Sequence, residues 1–333
     1  MNKVTVNNEQ CKKIANLVRK LKFRKAYQQR GYLSLKVPDE TKLRMFLFSW
    51  AICHQTHTLI NVTKNLKGWE YIEDVYTKLA KENSDFIKPE YLAALSTTEI
   101  AEQLKKLFSE NGPCTFDRLE ERASFLKDIA QKLLNKFHGQ VSEIIQMSGG
   151  YLINNSQGFY ELMDQFDAYK DPLRKKSTGI IKEMIDSGII KESDIKDWQN
   201  IIPIMDYHMQ RVMLRTGCVE VNDPELKQKL ISKTKLGSDS EIRQASVKAM
   251  KIISKESSSP ILSMDNLFWS FGRSCCQTTP KCQSGLCAKS PCTYTKIVFA
   301  GQHSKCPFET ACKGFSDDRY RQLWQPIVDT TSY

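Results

Sequence analysis

Met205-Asp206-Tyr207-His208-Met209-Gln210-Arg211-Val212-Met213-Leu214-Arg215-Thr216 is the stretch on which the reading of this chain turns. The run Ile204–Thr216 is expected to be a helix, with an aspartate at its start. A carboxylate in that position is ordinarily a cap, accepting a backbone N–H that the first turn leaves unpaired. Downstream comes Gly272-Arg273-Ser274-Cys275-Cys276, which opens a tract holding seven of the chain's 11 cysteines and closing on Cys306-Pro307-Phe308-Glu309-Thr310-Ala311-Cys312. Thiolates at that density repel one another unless they are oxidised or hold a metal. Four-cysteine sites suit zinc or an iron–sulfur cluster, and spacing alone does not choose between them.

Outward from these segments the chain reads as all-α. Apolar residues recur at three- and four-residue spacing, glycine is scarce, and alternating β-branched runs are rare. Helices are expected over 43–59, 71–80, 97–108, 119–137, 159–166, 175–186, 204–216, 223–235, 239–255 and 264–273, with turns at Ser148-Gly149-Gly150 and Asn154-Asn155-Ser156. Ile14, Leu17, Val18 and Leu21 form an apolar face near the N-terminus. Lys12, Lys13, Arg19, Lys20, Lys22, Arg24 and Lys25 surround it, as a phosphate-facing or simply a solvated basic surface. The expected organisation is a central helical lobe over 40–200 and a terminal lobe made of 1–39 plus 201–333, the latter containing a metal loop over 273–313. A catalytic cleft is expected between the two.

At 333 residues, with 41% apolar and 26% charged side chains, the chain can bury a large core and is not compositionally disordered. Its formal charge of +11 suits a polyanionic partner. No stretch approaches the roughly 18–20 apolar residues of a membrane span. The N-terminus lacks the apolar run of a secretory signal. These features point to a cytosolic protein, expected to be a monomer and, in a bacterial cell, nucleoid-associated. In that compartment disulfides seldom persist, so the scattered Cys11, Cys53, Cys114 and Cys218 read as small buried side chains.

The two segments together resemble the helix-hairpin-helix DNA glycosylases of the endonuclease III type. Asp206 to Thr216 matches the D-x-H-x-x-R-V-x-x-R-T strip of that family. Gly272 to Cys276, Pro280-Lys281-Cys282 and Cys306 to Cys312 follow its [4Fe–4S] loop. The resemblance makes Cys276, Cys282, Cys306 and Cys312 the cluster ligands, with zinc as the alternative metal. Two departures stand out. The gap from Cys276 to Cys282 is a residue short, which keeps Cys275 as a rival. The segment between Cys282 and Cys306 is a long insertion, whose Cys287 and Cys292 are substitute ligands or ligands of a second metal.

The same resemblance implies a site. Asp206 would stabilise the positive charge that builds on a sugar as its base departs. A catalytic lysine is expected in Asp171-Pro172-Leu173-Arg174-Lys175-Lys176-Ser177-Thr178, where the usual hairpin signature is missing and the spacing is closer to the archaeal 8-oxoguanine glycosylases. Lys176 is the candidate and Lys175 the reserve; a basic helix start gripping phosphate is the competing reading. Ala51-Ile52-Cys53-His54-Gln55 resembles the segment whose glutamine fills the space of a flipped base, so Gln55, His54, Tyr207 and Trp69 are substrate-binding candidates. Trp69 equally suits the core. Arg211, Arg273, Lys281, Lys289 and Lys305 would meet DNA phosphates.

The implied activity is excision of a damaged or modified base from duplex DNA, in repair or in defence against modified phage DNA, with strand-nicking lyase activity left open. The alternatives are a glycosidase of a modified nucleotide or of RNA on the same fold, and a non-catalytic metal-stabilised nucleic-acid-binding protein. The sequence does not identify the base.

Overall fold

The computed structural model describes every residue except Met1, 25–29, Asn111, 289–291 and 300–304. It is mostly helical, with a cysteine cluster near the C-terminus. The chain divides into two compact units, one built from 1–27 and 203–329 and the other from 28–202 and 330–333. The first carries strand β1 (Val4–Val6) and helix α1 (Asn8–Val18).

The second unit holds α2 (Asp39–Ala51), the two-residue strands β2 (Ile60–Asn61) and β3 (Leu66–Lys67), α3 (Trp69–Lys81), α4 (Pro89–Ala94) and α5 (Thr97–Leu107). It continues with α6 (Leu119–Phe137), α7 (Val141–Met147), α8 (Phe159–Met163) and α9 (Lys175–Asp186). Helix α2 is its axis, packing against α3, α6, α7 and α9. Its C-terminal half is apolar nearly all round, burying Met45, Phe46, Leu47, Phe48, Trp50 and Ala51, which is how a helix enclosed by others reads. Gly179 of α9 has no side chain because a Cβ there would fall 2.4 Å from the Trp50 ring.

The helix expected over 43–59 stops at Ala51. Buried groups from distant segments take up its last carbonyls: the Tyr169 hydroxyl donates to Leu47, Lys176 Nζ to Ala51 and the Arg122 guanidinium to Ile52. Gln55 then lies in the left-handed region at φ 45°, which turns the chain out of the helix.

The first unit resumes with α10 (Tyr207–Thr216), β4 (Val219–Val221), α11 (Pro224–Ser232), α12 (Ser240–Ser257) and α13 (Ile261–Ser274). The short helices α14 (Lys281–Ser284), α15 (Tyr294–Ile297), α16 (Lys313–Ser316) and α17 (Asp318–Arg321) follow. Strands β1 and β4 pair antiparallel, Val4 opposite Val221 and Val6 opposite Val219. Helix α1 lies on α12, with Cys11, Ile14, Ala15 and Val18 buried while Lys12 and Lys13 face outward. Helix α10 packs on α13 so closely that a Cβ on Gly272 would sit 2.6 Å from the His208 carbonyl oxygen. Among the described residues no helix is long and apolar enough to cross a membrane.

Candidate functional site

Asp206 is the N-cap of α10. Its backbone is extended, and its carboxylate accepts the Met209 N–H at 3.1 Å. The side chain is 7% exposed. Because the N-terminal end of a helix is electropositive, it helps to stabilise a buried anion. Arg243 of α12, also buried, donates to the carbonyl of the preceding Met205 at 3.2 Å. The result is a carboxylate fixed in direction by its own helix. Tyr207, half-buried, lies beside His208 with ring centroids 4.3 Å apart.

The strip's two arginines, of which Arg211 was expected at DNA phosphate, make contacts within the protein. Arg211 is buried and donates to the carbonyls of Gly272 (2.7 Å) and Cys276 (2.6 Å), to His208 Nδ1 (3.1 Å) and to Gln325. Arg215, one turn on, donates to the carbonyls of Gln277 (2.6 Å) and Leu323 (3.0 Å), and its guanidinium lies 3.5 Å from Cys276 Sγ. Both guanidinium groups lie over the Trp324 ring. The strip therefore pins the end of α13 and the start of the cysteine tract onto α10. Trp324 and Gln325, which close this arrangement, stood out by no spacing or motif.

The cysteines form two groups. Cys276, Cys282, Cys306 and Cys312 line one small, mainly apolar cavity together with Cys275, Arg215, Phe271, Phe308 and Arg321. Burial raises the thiols of Cys282, Cys306 and Cys312, the last to about 12. Metal-free, these three would stay protonated at neutral pH, whereas a metal would displace their protons. Cys275, Cys287 and Cys292 are drawn together differently, all three sulfurs within 4.8 Å of one another, as the ligands of a metal ion would be.

In the second unit the lysine pair opens α9. Lys176 is fully buried, with Nζ 2.7 Å from the Ala51 carbonyl oxygen and 5.4 Å from the centre of the Phe125 ring. Burial lowers its amine to about 7. Lys175 is 8% exposed, 3.4 Å from Cys53 Sγ and 5.0 Å from the centre of the Trp50 ring. Asp171, which the motif reading passed over, caps this helix start by accepting the N–H groups of Leu173 and Lys175 at 3.0 and 2.9 Å.

His54 is enclosed, its Nε2 2.9 Å from Glu121. Burial, with Lys176 nearby, pushes its imidazole far below the usual histidine range, so it is neutral. Gln55 is half-buried and donates its backbone N–H to the Tyr333 carbonyl at 3.0 Å. Trp69 packs 4.7 Å from Trp50 and 5.9 Å from Tyr32, and its indole N–H donates to Glu73 at 2.8 Å. Its polar edge is thus satisfied while the ring stays partly exposed.

The remaining expected phosphate contacts scatter. Lys281 is buried, donating to the Gly285 carbonyl at 3.2 Å. Arg273 lies 4.9 Å over the Trp269 ring, Lys305 is exposed, and Lys289 falls outside the described residues.

A comparison with curated protein sequences gave no match. The sequence model of one family matches residues 46–278, a span that includes His54, Gln55, Trp69, Lys175, Lys176, Asp206 and α10. That span ends before Cys282, Cys287, Cys292, Cys306 and Cys312. The match overturns the resemblance to helix-hairpin-helix DNA glycosylases. Duplex DNA with a flipped base, base excision repair, phage defence and strand-nicking fall with it. So do the alternatives framed on that fold and the DNA-phosphate roles of Arg211, Arg273, Lys281 and Lys305. The physical reason is that the strip and the cysteine loop specify how a helix is tied to a cysteine-rich segment, and that scaffold carries no information about which glycosidic substrate enters. The matching family is the one described as Queuosine salvage protein, and this chain belongs to it.

Proposed function

We propose that this protein releases the base queuine from queuosine, as the nucleoside or its phosphate, by hydrolysing the bond between base and ribose. The observation that carries the reading is the family match over residues 46–278 together with a buried, helix-capped carboxylate at Asp206 inside that span. Queuine is a 7-deazaguanine, with carbon where guanine has N7, so a protonated N7 cannot ease the departure of the base. More of the burden then falls on stabilising the ribosyl cation.

Asp206 is the group suited to that task. The glycosidic electron pair leaves with the base, positive charge develops on C1′ and the ring oxygen, and the fixed carboxylate faces that charge. Water adds to C1′ and its proton passes to solvent or to the departing base. A carboxylate about 4 Å from the cation, in surroundings of effective dielectric near 20, contributes roughly 4 kcal/mol, which is about a thousandfold in rate. Asp206's hydrogen bond to Met209 fixes its direction in advance, so little reorganisation accompanies the reaction. No nucleophilic role is assigned to Lys176 or Lys175, since hydrolysis needs none and Lys176 is bound to a backbone carbonyl.

We further propose that Cys276, Cys282, Cys306 and Cys312 hold a [4Fe–4S] cluster. Four cysteines lining one small apolar cavity, with Arg215 and Arg321 beside them, suit an anionic cluster ligated by thiolates. In this role the cluster is structural, fastening the C-terminal tract to α10 through Arg211 and Arg215.

Incubating purified protein with queuosine and with queuosine 5′-phosphate, and following free queuine by mass spectrometry, tests the activity. Release that Asp206→Asn abolishes supports the reading; absence of release from both substrates defeats it.

A further inference from the structure

Cys275 borders the cavity of the four-cysteine set, but its sulfur gathers with those of Cys287 and Cys292 in a distinct cluster. Cys275 Sγ lies 3.7 Å from Cys292 Sγ and 3.9 Å from Cys287 Sγ. A disulfide would bring two sulfurs to about 2.05 Å. Zinc–thiolate bonds of ~2.3 Å in a tetrahedron set neighbouring sulfurs ~3.8 Å apart. A cubane cluster spreads its thiolates more widely, because each binds a different iron. The trio therefore has the spacing of ligands around one ion.

The backbone around the trio is built to hold that spacing. Ser274, directly before Cys275, accepts the Ala288 N–H at its carbonyl (2.9 Å), next to Cys287. Its hydroxyl accepts the Thr293 N–H (3.0 Å) and meets Thr293 Oγ1 at 2.5 Å, next to Cys292. One residue at the end of α13 thus fastens the neighbours of both other ligands, and Ser274 and Thr293 are buried. The Cys292 carbonyl accepts the Thr295 hydroxyl at 2.8 Å. Cys287 and Cys292 lie beyond the segment that the family match covers.

We propose that Cys275, Cys287 and Cys292 form a second, single-ion site that takes zinc or a similar thiophilic divalent cation, independently of any cluster on Cys276, Cys282, Cys306 and Cys312. Binding leaves all three as thiolates and releases the protons that the trio still holds, and a solvent molecule or an added thiol completes the tetrahedron. The ion would clip the insertion between Cys282 and Cys306 onto the end of α13.

The test is the metal content of full-length protein by plasma mass spectrometry, on wild type, the Cys287→Ser/Cys292→Ser double variant and the Cys282→Ser/Cys312→Ser double variant. The proposal expects the first variant to lose one zinc per chain with iron unchanged, and the second to lose iron with zinc retained. Loss of iron from the first variant would make the trio part of the cluster and overturn the proposal. A control is the Cys282→Ser/Cys312→Ser variant stripped of metal under reducing conditions and given Co²⁺ alone, then Zn²⁺. Tetrahedral cobalt–thiolate absorption that Zn²⁺ bleaches supports the site. Its absence, or recovery of a Cys275–Cys292 disulfide from freshly purified protein, rejects it. Neither arm depends on queuine release.

Discussion

Helices α9 and α10 begin in opposite electrostatic ways. At the start of α10 a buried carboxylate, Asp206, caps a helix end that favours negative charge. At the start of α9 two lysines are buried where the same dipole disfavours them, with no acidic residue in the first turn. The conflict is relieved from outside the helix: Asp171 caps the exposed N–H groups, and Lys176 donates to the Ala51 carbonyl at the C-terminal end of α2, where a cation is welcome. The first arrangement is cheap and recurs at helix starts everywhere, so geometry alone does not mark Asp206 as chemical. The second is costly and depends on a segment distant in sequence. Local inconsistency of that kind is what functional or architectural pressure leaves behind.

The largest effect that would sharpen this contrast is at Asp206. Asparagine caps helices about as well as aspartate, so Asp206→Asn is expected to leave the denaturation midpoint nearly unchanged. Queuine release should fall about a thousandfold, the loss of roughly 4 kcal/mol of charge stabilisation. Equal losses of stability and rate would reduce Asp206 to a cap.

Lys176→Met is expected to act on stability through pH. Below about 7 the amine is charged in both the folded and the unfolded chain, and burying it carries its full penalty. As pH rises from about 7 toward the ordinary lysine value of 10.5, the folded chain sheds a proton that the unfolded chain keeps, so wild-type stability should rise. The methionine variant lacks that slope. The difference between their urea midpoints should be greatest at pH 6–7, on the order of a few kcal/mol, and shrink toward pH 10. Parallel pH profiles would mean that the amine is not held in a dry environment.

The smallest effect belongs to the cap of α9. Asp171→Ala removes the acceptor for Leu173 and Lys175 and is expected to cost about 1 kcal/mol in chemical denaturation. A loss several times larger would mean that Asp171 also balances the charge of the lysines.

Much of the helical framework was legible because apolar periodicity is local. The bounds of α6 and α9 coincide with the expected 119–137 and 175–186. The end of α2 was not, since it is set by Arg122, Tyr169 and Lys176, none of them near it in sequence. The strip and the cysteine tract meet in the fold for a structural reason: Arg211 and Arg215 join them. They misled about substrate for the same reason, because a shared way of anchoring a loop says nothing about DNA against a nucleoside. How the tract's cysteines group was open in the sequence, and the gathering of Cys275, Cys287 and Cys292 depends on the hydrogen bonds of Ser274, an unremarkable serine until the fold places it.

The central claim is that a fixed carboxylate at residue 206 drives cleavage of a queuosine glycosidic bond. The most direct measurement is single-turnover release of queuine from queuosine 5′-phosphate by wild type and Asp206→Asn, with binding of the uncleaved substrate measured in parallel. The account predicts release by wild type, and in the variant retained binding with release about a thousandfold slower. Queuine freed at equal rates by both proteins, or by neither, would contradict it.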